Sequence, residues 1–379
     1  MKFSCAPLKI MFIFLSLPFY FACQKNVPIT KPESIIPNEI LVSPFPNLGP
    51  EHNFSTGTLL KLNYSGDIIQ QKNFNTAVFN FRRWQIDGKI SYSYAIYETL
   101  PITPISTWLA CSIILTDENL STKKVIRLLD HPGHDNRLDG HEFILLDNNS
   151  YIVETYYSKK VTNIPDSVPH SSNCTIMAPL IQEVKNGKVV FEWDGSEFPE
   201  FYAASIEGND FTNTATPQDY MHMNSVKIDP SDENLVVSFR HTDQFIKIDR
   251  KTGAILWRLG GKKSDFQNSN QLFLRQHDVK PIGNHTYLFI DNGDFLIRRY
   301  SRILEIEIDE VNKTVKNIKS TSLPKGFPYI GHMGSVEKIG DIYFVGGGTI
   351  PMNFEIDANT GELISKQPLP TNSYRAYKY

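Results

Sequence analysis

The sequence predicts an all-β chain closed as a six-bladed β-propeller, on three observations. First, histidines head apolar strand patterns at one phase. Met221-His222-Met223-Asn224 leads to Leu235-Val236-Val237-Ser238, Gln276-His277-Asp278 to Tyr287-Leu288-Phe289-Ile290, and Gly331-His332-Met333-Gly334 to Ile342-Tyr343-Phe344-Val345. The spacing is 55 positions in both intervals. Second, apolar runs joined by Asn-Gly or Thr-Gly recur down the chain. Those pairs are hairpin chemistry, because glycine takes positive φ at no steric cost. Third, the turn glycines Gly253 and Gly361 are 108 positions apart, so hairpins and histidines keep the same period. A repeat near 50 residues with several strands and no helical periodicity is that of a propeller blade, and the chain after residue 55 has room for about six.

Taken in order, the chain opens on an export signal. Lys2 and Lys9 supply positive charge, residues 10–21 are almost wholly apolar, and Ala22 precedes Cys23. Twelve apolar residues are too few for an ordinary spanning helix and suit a signal core. A small residue directly before a cysteine resembles a bacterial lipoprotein cleavage site, with Cys23 as the lipidated residue, although Tyr20 stands where that pattern usually has leucine. The expectation is an exported protein, a periplasmic or cell-envelope lipoprotein. Residues 23–55 carry Pro28, Pro32, Pro37, Pro44, Pro46 and Pro50 without a sustained period and read as a tether. The organisation expected is therefore signal 1–22, tether 23–55 and propeller 56–379.

The hairpins follow. Residues 59–62 and 68–69 flank Tyr64-Ser65-Gly66, and 181–184 and 189–193 flank Lys185-Asn186-Gly187. Further pairs are 245–248 with 255–257, 304–308 with 315, and 354–356 with 363–364. All read as outer strands. A fourth histidine segment, Asp139-Gly140-His141-Glu142 before 143–146, turns at Asn148-Asn149 into 151–153. It lies 81 positions before His222, which requires an insertion, assigned to residues 157–172. Since the first strand of each blade lines the central channel, these histidines are expected to converge near the axis, with Trp193 and Trp257 in the blade cores.

Composition excludes little. An aromatic share of 12% allows a large core, and a net charge of −3 gives no basic field for nucleic acid. With Cys5 in the signal and Cys23 lipidated, Cys111 and Cys174 remain. In an oxidising compartment they are expected to form a disulfide, with two buried free thiols as the alternative. Neither has a metal-like spacing, and His141-Glu142 lacks the second histidine of a zinc-protease helix, so no metal is expected.

A neutral imidazole is a competent nucleophile, and a guanidinium fork binds tetrahedral oxyanions bidentately. Arg298, Arg299 and Arg302 follow Asp291-Asn292-Gly293 at the end of the strands that carry His277, a combination suited to sulfuryl or phosphoryl transfer. The competing reading is that these arginines form a solvated strand end or pair with Asp291 and Asp294.

The linked runs His222-Met223-Asn224-Ser225, Phe239-Arg240, Trp257-Arg258-Leu259-Gly260-Gly261, Gln276-His277-Asp278, Asp291-Asn292-Gly293 and Tyr300-Ser301-Arg302 resemble the bacterial arylsulfate sulfotransferases, as does the terminal Ser373-Tyr374-Arg375-Ala376-Tyr377. The resemblance implies a propeller enzyme with its active site in the central channel, transferring sulfate from a phenolic sulfate ester to a phenolic acceptor without the nucleotide PAPS or any other cofactor. It further implies His332 as the transiently sulfated nucleophile, His222 and His277 as assistants, and Arg298 as the assisting arginine. Arg299, Arg302, Asn292, Asn224 and His141 are the expected substrate contacts. In keeping with this, there is no nucleotide phosphate loop, Gly260-Gly261-Lys262-Lys263-Ser264 having the wrong spacing, and no Cys-x-Pro-x-Arg motif of ordinary sulfatases. A non-catalytic surface propeller that binds a ligand at its channel mouth, or an aryl sulfate hydrolase, would use the same fold.

Overall fold

The computed structural model describes residues 1, 38–45, 56–98, 110–269 and 271–379. The unit 37–379 holds six antiparallel sheets, each built around four strands, in the propeller arrangement. Blade two is Val78–Ile86, Lys89–Tyr97, Ala110–Thr116 and Thr122–Ile126, with the short strand Leu138–Asp139 added beside Ala110–Thr116. Blade three is Phe143–Leu145, Ser150–Lys160, Thr175–Lys185 and Lys188–Asp194. Blade four runs Met223–Ile228, Leu235–Phe239, Gln244–Ile248 and Ile255–Gly260. Blade five runs His277–Pro281, Thr286–Asp291, Arg302–Asp309 and Thr314–Ser322, and blade six Ser335–Ile339, Ile342–Gly346, Met352–Asp357 and Leu363–Pro368.

Blade one closes the ring. Its order is Ser373–Lys378, Ile40–Pro44, Gly57–Leu62, Ile68–Phe74, so the last strand of the chain pairs with the first. Leu41 stands opposite Tyr377 and Val42 opposite Ala376. Pairing the two ends of the chain within one blade clasps the ring, and the radial repetition leaves only short, protected edges. The stretch 23–55 is thus more than a tether: Ile40–Pro44 is a fully buried strand of the propeller, which begins before residue 56. Cys23 and the signal lie outside the described residues, and no helix among those described is long and apolar enough to cross a membrane.

The hairpins form where the turn chemistry puts them. Asn186 and Gly187, both at positive φ, reverse the chain between the outer strands of blade three. Trp193 and Trp257 are buried, Trp193 stacked 5.9 Å from Phe239 and Trp257 edge-on to Phe245 at 5.8 Å. The extra length between His141 and His222 is divided. Part lengthens the blade-three pair Ser150–Lys160 and Thr175–Lys185 with its connection, and the rest is the crossing 195–222, which contains the short helix Glu200–Ala204. Tyr157 therefore belongs to a strand and not to an inserted loop.

Cys111 and Cys174 are both free and buried, which corrects the expected disulfide. Cys111 lies on the third strand of blade two, between Tyr97 and Leu138, whereas Cys174 directly precedes the blade-three strand Thr175–Lys185. Each is packed as a small apolar residue, and burial pushes both thiols up, so neither is a ready thiolate.

A cluster of buried charge fills the axis. Arg375, on the closing strand, donates to Glu142 at 2.8 Å and to the Asn224 carbonyl at 2.7 Å. Glu142 also receives Arg82 at 2.6 Å and Lys227, and Asp278 receives Lys280 at 2.8 Å. Burial opposes ionisation of Glu142, but Lys227, Arg375 and Arg82 hold it down at about 2. Burial lowers Lys227 to about 8 against the pull of Glu142. These residues come from blades one to five, so the cluster ties the inner strands together.

Candidate active site

The histidines are aimed by local distortion at the heads of the inner strands. The pairing of Met223–Ile228 with its neighbour slips between Met223 and Ser225, and that of His277–Pro281 slips between His277 and Lys280. Such bulges turn side chains out of the ordinary alternation. His222 has φ +52°, Asp278 beside His277 has +57°, and Met333 beside His332 has +62°. Left-handed backbone at non-glycine residues is sparsely populated and is tolerated where the surroundings over-determine it. At Gly348, φ is +58° and an added Cβ would lie 2.9 Å from the His332 carbonyl oxygen, so glycine there lets the His332 loop seat.

Two of the histidines are oriented through Nδ1. His222 donates to Asp219 at 2.7 Å, and His277 donates to the Asn292 side-chain oxygen at 2.8 Å. The Asn292 amide in turn donates to the carbonyls of Ile330 at 2.9 Å and Met333 at 3.1 Å, joining His277 to the loop that carries His332. Neither Nε2 has a hydrogen-bond partner among the described residues, nor does either ring nitrogen of His332.

All three imidazoles are held neutral. Burial first, then His141 and Arg240, with His332 also acting and Glu207 opposing, keep His222 well below the usual imidazole range. Burial and Arg240 do the same to His277, with His222 and His141 adding to it against the Asn292 hydrogen bond. His332 is lowered by burial and by Arg240. The one cation that acts on all three is Arg240, in the turn Arg240–Thr242 directly after a strand of blade four. Its guanidinium is anchored on Glu207 at 2.9 Å, and Glu207 is shared with Arg275 at 2.7 Å.

The predicted arginines are placed differently. Arg298 pairs with Asp291 and donates to the Tyr300 carbonyl at 2.8 Å, and Arg302 pairs with the other oxygen of Asp291 at 2.7 Å. Asp291 is fully buried, so both guanidiniums serve a structural carboxylate, as the competing reading of the sequence had it. Arg299 lies over the Phe295 ring at 3.8 Å, on the exterior. Asn292 orients His277, while Asn224 is buried and donates to the Gln276 carbonyl at 2.7 Å. His141 is packed in an aromatic layer, edge-on to Tyr374 at 5.2 Å and to His222 at 5.3 Å, with Nδ1 on Asp139.

Sequence reasoning gave no site role to Asp219, Arg240, His241, Asp139 or Glu154, although Arg240 and Asp139 lie in the runs it singled out. His241 stacks on His222 at 4.6 Å and is lowered to about 4, chiefly by burial. A signal was present in the aspartates two and three positions before His141 and His222, and in Arg240-His241 directly after an apolar strand. Among the described residues two sets of side chains bring three donor atoms within 4.8 Å of one another: Asp219, His222 and His241, and Asp139, His141 and Glu154. The first is committed to internal hydrogen bonds, Asp219 holding His222 and its carbonyl accepting from His241 at 2.5 Å. Its two rings are also nearly parallel, at 23°, which does not converge their in-plane lone pairs on one ion.

No curated protein matches the chain significantly. Among solved structures it is similar to a Bacteroides caccae protein of unknown function, with 10% identity over 90% of this chain and 98% of that one and a TM-score of 0.49. It is also similar to a chain of the nidogen/laminin complex, with 10% identity, coverage of 90% and 97%, and a TM-score of 0.46. Identities this low say nothing of function. The sequence model of the arylsulfotransferase (ASST) family matches residues 83–374, a span that takes in every histidine described above together with Arg240, Arg275, Arg298, Arg299 and Arg302, and the chain belongs to that family.

Proposed function

We propose that this protein moves a sulfuryl group from a phenolic sulfate ester to a phenolic acceptor by a ping-pong route through sulfated His332, without PAPS. Family membership carries aryl sulfotransfer in general, and small-molecule substrates with it. The observation that supports the finer reading is that Asn292 holds His277 and, through the Ile330 and Met333 carbonyls, the loop carrying His332, while Asp219 orients His222 and the charge of Arg240 lowers all three imidazoles. His332 is exposed whereas His222 and His277 are buried, and it has no internal partner to hold its lone pair, as a nucleophile requires. In the first half-reaction its unprotonated nitrogen bonds to sulfur as the aryl S–O bond breaks. Arg240, in the role expected of Arg298, stabilises the sulfuryl oxygens. In the second half the acceptor oxygen bonds to sulfur and the N–S bond breaks. His222, with Asp219 behind its Nδ1–H, takes the acceptor's proton and passes it to solvent, from which the departed donor phenolate is protonated. Donor phenolate thus gains the proton that the acceptor loses, and His222 is unchanged over the cycle. Export with lipidation at Cys23 belongs to the same proposal, rests on the sequence, and is checked by the mass of the N-terminal peptide.

The test is incubation with p-nitrophenyl sulfate alone, acid-free quenching and peptide mass spectrometry. Sulfate is expected on His332, with one burst equivalent of p-nitrophenol, and both are lost in His332→Ala. A burst retained by His332→Ala would overturn the assignment, and release as fast without a phenol acceptor as with one would turn the reading to hydrolysis.

A further inference from the structure

The second donor set lies beside the proposed sulfuryl site and uses none of the residues given a catalytic role there. Asp139 ends the short strand added to blade two, Glu154 is on Ser150–Lys160 of blade three, and His141 lies between them in sequence. All three are at least 96% buried. Their donor atoms converge within 4.8 Å. Asp139 accepts from the His141 backbone N–H at 2.9 Å and meets its ring. Glu154 stands apart: neither carboxylate oxygen has a hydrogen-bond partner among the described residues. The nearby cations are engaged elsewhere, Arg375 on Glu142 and the Asn224 carbonyl and Lys227 on Glu142. A buried carboxylate facing a second carboxylate and an imidazole needs a compensating charge, because buried charges persist when paired or metal-bound.

We propose that Asp139, His141 and Glu154 bind a divalent transition-metal ion of the zinc or manganese class. One imidazole nitrogen with two carboxylate oxygens is the mixed donor set these ions accept, and a fourth position is left for water. The ion would staple blade two to blade three, through Asp139 and Glu154, directly behind the ring layer that backs His222. The competing way to neutralise the pocket is a proton on Glu154.

The experiment measures metal content by plasma mass spectrometry on full-length protein purified without an affinity tag, loaded with Zn²⁺ or Mn²⁺ and desalted. Thermal melts with and without a chelator accompany it. The expected result is one ion per chain, a melting temperature lowered by the chelator and restored by the metal, and loss of both the ion and the chelator response in Glu154→Gln. Should Glu154→Gln not fold, Asp139→Asn serves the same comparison. Wild-type protein that retains no ion after loading, or a variant that keeps its ion, would overturn the proposal. The first outcome points to the shared proton and the second to binding elsewhere. Sulfate on His332 is read separately, so this result and the sulfuryl reading stand or fall apart.

Discussion

Replacing Arg240 by alanine separates the catalytic use of a cation from its structural use. Arg240 is tied to Glu207, but Glu207 keeps Arg275 at 2.7 Å and its side chain is 43% exposed. The ion pair lost is therefore of the partly solvated kind, and the stability cost is at most about 1 kcal/mol. Catalysis is a different matter. Removing one preorganised donor from the position of developing charge costs about 10²–10³-fold in turnover, roughly 3–4 kcal/mol. The variant also carries a titration signature. Burial together with Arg240 lowers His222, His277 and His332, so the active neutral forms are present above that depressed range and are lost as pH falls through it. Without Arg240 all three move up, and the acid limb of the rate profile moves to higher pH. The assay is p-nitrophenyl sulfate with phenol as acceptor, each time point quenched in alkali so that p-nitrophenolate is read independently of reaction pH. Arg298→Ala is the control. It deprives buried Asp291 of one of its two arginines, costs about 1–3 kcal/mol of stability, and leaves the acid limb where it was. An Arg240→Ala enzyme with near wild-type turnover and an unmoved acid limb would refute the assignment, and the reverse pattern in Arg298→Ala would restore the arginine expected from sequence.

Two further outcomes bear on the fold. Glu142→Gln leaves Arg82, Lys227 and Arg375 around a neutral amide on the axis. Breaking a buried pair by removing one partner costs about 3–5 kcal/mol, to be read from guanidinium unfolding, and a loss below about 1 kcal/mol would mean that solvent reaches the cluster. Iodoacetamide without reductant should label Cys111 and Cys174 only after unfolding, and a cross-linked peptide joining them in the digest would contradict two free thiols.

Sequence alone determined the all-β class, the six blades, the outer hairpins and the common phase of His222, His277 and His332. These are local matters: strand alternation, Asn-Gly and Thr-Gly turns and a 55-residue period each reside in a few consecutive positions or in their repetition. Pairings between blades were not legible, because nothing in a sequence gives the register of side chains far apart along it. Only closure set Ile40–Pro44 against Ser373–Lys378, and so turned part of an apparent tether into a strand and brought Arg375 to Glu142. Tertiary structure likewise decided where the arginines sit. Arg298 and Arg302 fall on either side of a buried Asp291, while Arg240, one blade away from His277, faces the imidazoles because its turn follows a strand of blade four directly. The same holds for the two cysteines, placed on different blades, and for Glu154, whose unpartnered carboxylate emerges only when blade three packs against the strand added to blade two.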